Sequence, residues 1–192
     1  VTYDDGVLQD IRLVELMNRY GIRGTFNLNS ALMESGFAWI HENGMMVKRL
    51  SPAEAAGLYD CHEIASHTLT HPYMHDLTES EILRQMGEDK RALEEMFGRE
   101  VEGFAVPFEF YSQQIADCAK ASGFAYARMS ECTGNYCPWQ DRYYWKCGMF
   151  HLQPQLRDFV AGFLETEEEL ALCQIVGHSY DLDAEDLWDT TE

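Results

Sequence analysis

Long apolar runs are missing from this 192-residue chain, which argues against a helix that spans a membrane. Basic residues are also scarce, because 14 Lys and Arg stand against 33 Asp and Glu and give a formal net charge of −19. A surface this acidic is repelled by phosphate backbones and anionic lipid headgroups. We therefore expect neither nucleic acid nor a membrane surface as a partner. The acidic residues are spread along the chain, as is typical of solvated helix faces.

No Cys-x-x-Cys pair occurs among the six cysteines, so a structural zinc site built on paired thiols is not predicted. We expect reduced, mostly buried thiols. Low-complexity linkers and internal repeats are absent too, and a hydrophobic content of 46% suits one domain with its own core over residues 1–192. No signal peptide is visible, but Val1 already lies in a predicted strand, so we expect residues upstream of it. The compartment stays open, with the cytoplasm slightly favoured.

Apolar periodicity predicts strands alternating with helices along most of the chain. The strands are predicted at 22–28, 63–66, 101–108, 124–130, part of 143–152 and 171–179, and the helices at 8–20, 51–59, 78–98, 112–123 and 154–164. Such alternation is typical of parallel βα units, and six or seven of them favour a closed or nearly closed barrel. Polar residues follow several strands, and the carboxyl ends of parallel strands meet at one rim.

Two short stretches carry the chemistry. Asp4 and Asp5 are adjacent, so each charge disfavours ionisation of the other unless a cation lies near. His67 and His71 are four residues apart, and one helical turn would place both imidazoles on the same face. The glutamate of the HExxH pattern is absent, since Thr68 follows the first histidine, so a catalytic base must come from elsewhere. Two histidines and a carboxylate form a facial metal site with open positions.

Three stretches in chain order resemble the motifs of the polysaccharide deacetylases, the NodB-homology family or carbohydrate esterase family four. Residues 2–6 read Thr-Tyr-Asp-Asp-Gly, residues 67–72 read His-Thr-Leu-Thr-His-Pro, and residues 175–178 run from an apolar strand into a histidine. The resemblance implies the NodB-homology fold, an α/β fold forming a distorted, incomplete (β/α) barrel of about seven parallel strands.

By this resemblance, Asp5, His67 and His71 bind one divalent metal ion, with Zn²⁺ first and Co²⁺, Ni²⁺, Fe²⁺ or Mn²⁺ as alternatives. Asp4 is then the general base, and His178 protonates the leaving amine. The implied reaction removes N-acetyl groups from an N-acetylated sugar or polysaccharide. A metal beside Asp5 would also let both carboxylates ionise together.

The family's third motif, Arg-x-Pro-Tyr-Gly, is altered here, since residues 105–109 read Ala-Val-Pro-Phe-Glu. The missing arginine normally pairs with the catalytic aspartate. Either the enzyme is weakened or dead, or another cation fills the gap, and Arg128 after the next strand is the best-placed substitute. The alternative for Arg128 is an ordinary surface arginine. Most other cations lie in predicted helices or in segments expected to be exposed, such as residues 47–50.

Further residues are candidates for substrate contacts. The backbone N–H of Phe108 is placed to help hold an oxyanion, and Tyr180 follows His178 in the last motif. By the same resemblance, a looser fourth motif supplies an Asp and a Trp that shape the pocket and support the catalytic histidine, and Asp141 with Trp139 or Trp145 is the candidate for it. We expect one of the two Trp rings to pack in the core. The other four histidines show no partner pattern and are expected to be structural or exposed.

Two alternatives remain beside deacetylation. The same fold and metal site could act on another C–N bond, such as a cyclic amide or imide, or the chain could be a catalytically weakened carbohydrate-binding homologue. The altered third motif motivates the second alternative, while the intact aspartates and histidines argue against it. The sequence leaves open the sugar, its chain length and the oligomeric state.

Overall fold

The computed structural model describes residues 1–108, 111–137 and 141–191. Eight strands form a nearly closed barrel in which every neighbouring pair is parallel. They are β1 (Thr2–Asp4), β2 (Thr25–Leu28), β5 (Glu63–Ser66), β6 (Gly103–Ala105), β7 (Tyr126–Cys132), β8 (Trp145–Cys147), β9 (Met149–Phe150) and β10 (Ile175–Gly177). Their order in the sheet is β8-β7-β6-β5-β2-β1-β10-β9. The predicted incomplete (β/α) barrel is confirmed.

Helices connect most of these strands. They are α1 (Asp10–Arg19), α2 (Ser30–Ser35), α3 (Pro52–Ala55), α4 (Glu79–Phe97), α5 (Gln113–Ala121), α6 (Leu156–Glu165), α7 (Ser179–Ala184) and α8 (Trp188–Thr191), with a 3₁₀ turn at Met74–Asp76. Ser51 and Thr78 both form capping boxes, which fix the starts of α3 and α4. No helix in the described ranges is long and apolar enough to cross a membrane.

The core lies between the barrel strands and the helices that cover them. Ile82, Met86 and Leu93 form the buried face of α4 and pack in one cluster with Phe104 of β6 and Ile115 of α5. Their spacing of four and seven residues, one and two helical turns, is the amphipathic pattern that predicts this helix. Each such side chain stabilises the fold by about 1.5–3 kcal/mol relative to full exposure.

Several short elements differ from the prediction. The strand expected over 171–179 covers only β10, and the region 143–152 forms two strands instead of one. An antiparallel hairpin of β3 (Ala38–Ile40) and β4 (Met46–Lys48), together with α2, was not predicted. Strands of three residues are too short for their periodicity to be distinguished in the sequence. All six cysteines are free, as expected, but only Cys118 and Cys147 are buried.

Candidate functional site

The two adjacent aspartates lie at the carboxyl end of β1, where the chain turns sharply. Asp4 ends the strand, and Asp5 has a φ of +90°, a strained value for a residue other than glycine. Gly6 follows with a φ of +63°, and a side chain there would come within 2.7 Å of Leu28 Cδ2. Both carboxylates are buried. This turn gives the two neighbouring carboxylates separate sets of partners.

Asp5, His67 and His71 place three ligand atoms within 4.8 Å of one another. The Oδ1 atom of Asp5 lies 3.9 Å from His67 Nε2 and 3.6 Å from His71 Nε2. That oxygen is buried and accepts no hydrogen bond of good geometry, although the Arg49 guanidinium lies 2.8 Å from it as an ion-pair partner. One carboxylate oxygen and two imidazole nitrogens are a donor set that zinc takes in catalytic sites. These three residues therefore fit a divalent metal ion.

The ring orientation of His67 also suits a ligand. Its Nδ1–H donates a hydrogen bond to the carbonyl of Ala105 at 2.9 Å, which leaves Nε2 free of hydrogen on the side of Asp5. Burial lowers the pKa of His67 to about 4, so the ring is neutral at neutral pH. Burial likewise lowers the pKa of His71. Neutral imidazoles are the form that binds a metal.

The segment that carries the two histidines is a loop, so the prediction of a helical turn is wrong. Thr68 and His71 both have positive φ values, of +69° and +53°. The Nδ2 atom of Asn29 donates to the carbonyls of His67 and Thr68, and Thr68 Oγ1 accepts the N–H of His71 at 3.1 Å. These bonds bring the two ring centroids to 4.8 Å. A buried polar scaffold, and not helical spacing, sets the pair.

Asp4 is held by a buried guanidinium. Arg128 Nη2 donates to Asp4 Oδ1, and Asn27 Nδ2 donates to the same oxygen at 2.7 Å. Arg128 is only 2% exposed, so the alternative of a surface arginine is wrong. Burial raises the pKa of Asp4, but the charge of Arg128, with smaller effects of His67 and His178, more than offsets this and leaves the pKa below its usual value.

The position of Arg128 explains how it reaches Asp4. Arg128 on β7 is the register partner of Ala105 on β6, where the third motif carries its arginine in the family. Neighbouring strands lie about 4.8 Å apart. The cation thus comes from the adjacent strand at the same height in the barrel, and the small side chain of Ala105 stands beside it.

His178 directly follows β10 and is the N-cap residue of α7, and it shares a carboxylate with a second histidine. Its Nδ1 lies 3.2 Å from Asp181 Oδ2, and His151 Nε2 lies 3.0 Å from the same oxygen. Burial alone would lower the pKa of His178. The bond to Asp181 and the charges of Asp5 and Asp4 have the larger, opposite effect and raise the pKa to about 9. The ring is therefore protonated at neutral pH.

Asp181 was not identified from the sequence, which pointed instead to Asp141. Asp141 is exposed, and its carboxylate accepts the backbone N–H of Tyr143 at 2.8 Å. The signal for Asp181 was its position three residues after His178, because residues at this spacing meet on one helical turn. His151, expected to be structural or exposed, is buried against this carboxylate.

Arg49 is a second residue that the sequence analysis missed. Its Nη1 lies 2.8 Å from Asp5 Oδ1 and also donates to the backbone carbonyl of Asp5. Arg49 is buried, so the expectation that residues 47–50 are an exposed segment is wrong for it. It reaches the site because it pairs with Val7 in an antiparallel bridge. Burial raises the pKa of Asp5, but Arg49 and the nearby histidines hold it well below its usual value.

A cleft of about 550 Å³ contains the aspartates, the two loop histidines and His178. Phe108 and Tyr180 line it, and Tyr180 stacks on His178 with ring centroids 4.9 Å apart. Trp145 is not among the lining residues in the described part of the chain, and its ring meets the edge of Tyr126 at 5.2 Å. Trp145 is therefore not part of the proposed substrate contacts. Trp139 lies outside the described residues.

A family profile described as "Polysaccharide deacetylase" matches residues 1–127. The chain belongs to the polysaccharide deacetylase family. The match includes both aspartates, both metal-site histidines and Ala105. Because it ends at residue 127, the deacetylase profile itself covers neither Arg128 nor His178.

Known proteins resemble this chain at low sequence identity. Over 108 residues the chain is 23% identical to "Uncharacterized protein YlxY" of Bacillus subtilis (strain 168), which covers 56% of this chain and 30% of that protein. The structure of IcaB from Ammonifex degensii matches with a TM-score of 0.69 at 19% identity, over 86% of this chain and 72% of that one.

A second solved structure is the family 4 carbohydrate esterase from Streptomyces lividans in complex with acetate. It has a TM-score of 0.58 at 14% identity and covers 93% of this chain and 77% of that one. At these identities the likeness shows the fold alone. The chain spans about a third of the length of the curated relative it matches.

Proposed function

We propose that this chain is a metal-dependent hydrolase that removes N-acetyl groups from an N-acetylated sugar or polysaccharide. The observation that carries the proposal is one cleft in which three fitting metal ligands, an ion-paired aspartate and a histidine bonded to Asp181 meet. Membership of the deacetylase family supports the reaction class. We further propose that residues 1–192 act as one catalytic domain with a carbohydrate as its partner.

Asp5, His67 and His71 would hold the metal, with zinc as the first choice. When bound, a divalent ion polarises a water molecule and the acyl carbonyl and neutralises developing negative charge. The Nδ1–H bond from His67 to Ala105 fixes the ring so that Nε2 faces the site. Arg49 pairs with the same carboxylate oxygen, Oδ1, and donates to the backbone carbonyl of Asp5, so it holds this ligand in place from outside the set of three.

Asp4 acts as the general base that takes a proton from the attacking water. Its low pKa keeps the carboxylate ionised at neutral pH, and its bonds from Arg128 and Asn27 both go to Oδ1. The other oxygen, Oδ2, is left to accept the proton. Arg128 acts through Asp4 as a positioning residue and takes the place of the arginine missing from the third motif.

His178 acts as the general acid that protonates the leaving amine. The bond from Nδ1 to Asp181 leaves Nε2–H free to donate, and the raised pKa keeps the ring charged until it gives up this proton. Phe108 and Tyr180 line the cleft and contact the substrate, and the backbone N–H of Phe108 is the proposed donor to the oxyanion.

The alternative of a weakened carbohydrate-binding homologue rested on the loss of the third-motif arginine. A guanidinium on Asp4 is nevertheless present, supplied by the neighbouring strand. This contact favours an active enzyme. No observation on the described residues favours a cyclic amide or imide substrate over an acetylated sugar.

Metal content and acetate release test the proposal together. Protein purified without chelator should contain about one zinc or similar ion per chain, and it should release acetate from N-acetylglucosamine oligomers. His71→Ala should lose the ion, while His75→Ala, a change at a neighbouring exposed histidine, should keep both properties. Full occupancy in His71→Ala would contradict the ligand set.

A second variant separates binding of the metal from catalysis. Asp4→Asn removes the base but none of the three ligands, so it should keep the ion and lose about 10²–10⁴-fold in rate. A near-normal rate would show that another residue is the base. Absence of acetate release from the metal-loaded wild type would overturn the proposed function itself.

A further inference from the structure

Two exposed aromatic rings stack on each other at the edge of the cleft. Tyr73 follows Pro72 in the loop after β5, and Phe108 follows Pro107 in the loop after β6. Their ring centroids lie 3.8 Å apart, and the ring planes are within 10° of parallel. Tyr73 is 51% exposed and Phe108 is 36% exposed. Large apolar side chains that are exposed together beside a polar cleft indicate a binding surface.

The backbone holds this pair in place. Phe108 has a φ of +60°, which is strained for a bulky residue. The hydroxyl of Ser130 donates to the carbonyl of Phe108 at 2.5 Å and fixes the strained turn from the neighbouring strand β7. Strain of this kind persists only where the surroundings impose it, and it concentrates at functional sites. The ring of Phe108 is thus positioned by the fold.

The stacked pair continues the wall of the catalytic cleft. The ring of Phe108 meets the ring of His71 edge-on, with centroids 4.7 Å apart, and it lines the cleft. Tyr73 is not among the lining residues, so its ring extends this wall outward from the proposed metal site. On the other side, Tyr180 is stacked on His178. The proposed reaction puts the reacting group between His71 and His178, on the cleft side of Phe108. A further unit of a longer substrate would then meet the face of Tyr73 that Phe108 does not cover.

We propose that Tyr73 and Phe108 form a platform that binds a second sugar ring, so that the enzyme prefers oligomers to single sugars. A pyranose has an apolar face of C–H groups and a polar edge of hydroxyls, and a half-exposed aromatic ring complements that face while the edge stays in water. The inference rests on the proposed function, since it assigns a chain-length preference to the same cleft.

The test compares the oligomer N,N′,N″,N‴-tetraacetylchitotetraose with monomeric N-acetylglucosamine. The ratio of kcat/KM for the tetramer to that for the monomer should fall about tenfold in Tyr73→Ala, mainly through KM for the tetramer. Tyr73→Phe keeps the ring and should keep the ratio. Tyr20→Ala changes a tyrosine of similar exposure at the end of α1, outside the cleft lining, and should also leave the ratio unchanged.

A binding measurement separates this inference from the proposed function. In the Asp4→Asn background, calorimetry with the deacetylated glucosamine tetramer should show about tenfold weaker binding when Tyr73 is also changed to Ala. Absence of acetate release from every substrate would refute the proposed function while this comparison still stands. Equal ratios in the wild type and Tyr73→Ala, or equal losses for the monomer and the tetramer, would overturn the platform.

Discussion

Replacing Arg128 by methionine should both destabilise the protein and move its pH profile. Arg128→Met fills much of the same volume but leaves Asp4 as a buried carboxylate without its ion-pair partner. Removing one partner of a buried pair costs about 3–5 kcal/mol of stability. The loss should appear as a lower midpoint of urea unfolding, and activity must therefore be measured well below that midpoint.

The electrostatic effect on Asp4 is of similar size. Two opposite charges about 4 Å apart interact by about 4 kcal/mol at an effective dielectric constant of about 20. Without this attraction, burial dominates and the pKa of Asp4 rises. Because the base must be ionised, the acid limb of kcat/KM should move to higher pH, and the rate at pH 6 should fall at least about tenfold.

A double variant provides the sharpest control. Ala105→Arg combined with Arg128→Ala returns the guanidinium to the strand where the family carries it, at the same height in the barrel. We expect it to bring the acid limb back toward its wild-type position. An acid limb that does not move in Arg128→Met, in protein that is folded and loaded with metal, would refute the role of Arg128.

Three further changes test other charges of the site and its support. Arg49→Met should lower the free energy of unfolding by about 3–5 kcal/mol, because it leaves Asp5 buried without its partner. Zinc should restore part of this loss in urea unfolding. Equal losses with and without zinc would contradict zinc binding at Asp5. Asp181→Asn should lower the pKa of His178 from about 9, so the alkaline limb of the pH–rate profile should move to lower pH. An alkaline limb that stays in place would show that it belongs to another group. Burial raises the pKa of Asp89 to about 6, so its contribution to stability is full below pH 4 and is lost as the pH rises through 6, by about 3 kcal/mol in all. Asp89→Asn should therefore reduce the dependence of urea unfolding on pH between 4 and 7, and an unchanged dependence would contradict this assignment.

The sequence predicts most of the barrel because its longer elements repeat local signals. The helix α4 combines a capping box at Thr78, an apolar stripe and a final glycine, and it lies within one residue of the predicted bounds. The hairpin of β3 and β4 has no comparable signal, since each strand has three residues and their side chains Ile40 and Met46 are exposed. Its two strands pair with each other, and its position depends on contacts with residues distant in the chain, such as the hydrogen bond from the Leu8 N–H to the Lys48 carbonyl.

The residues of the candidate site also fall into those with a local sequence signal and those without one. The adjacent aspartates and the two histidines are recognisable because each set lies within one short stretch. Arg49 could not be recognised, because its contact with Asp5 joins residues 44 positions apart through a bridge that only the folded chain forms. The sequence named Arg128 as the partner of Asp4 but expected it after a strand, and this part is wrong. Arg128 lies within β7 and reaches Asp4 from its register position beside Ala105.

The register pairing of Ala105 with Arg128 also bears on how such a site changes during evolution. In this chain an arginine on β7 holds the carboxylate of Asp4, whereas the third motif of the family has its arginine at the position of Ala105, on the neighbouring strand. A lineage that moves the cation by single substitutions must pass through a chain with both arginines crowded against Asp4, or through a chain with neither. We expect each intermediate to be less fit than either end state, so the exchange should be rare and inherited as a linked pair. Positions equivalent to 105 and 128 should then vary together, and the pair would mark a branch of the family whose members look inactive when only the third motif is inspected.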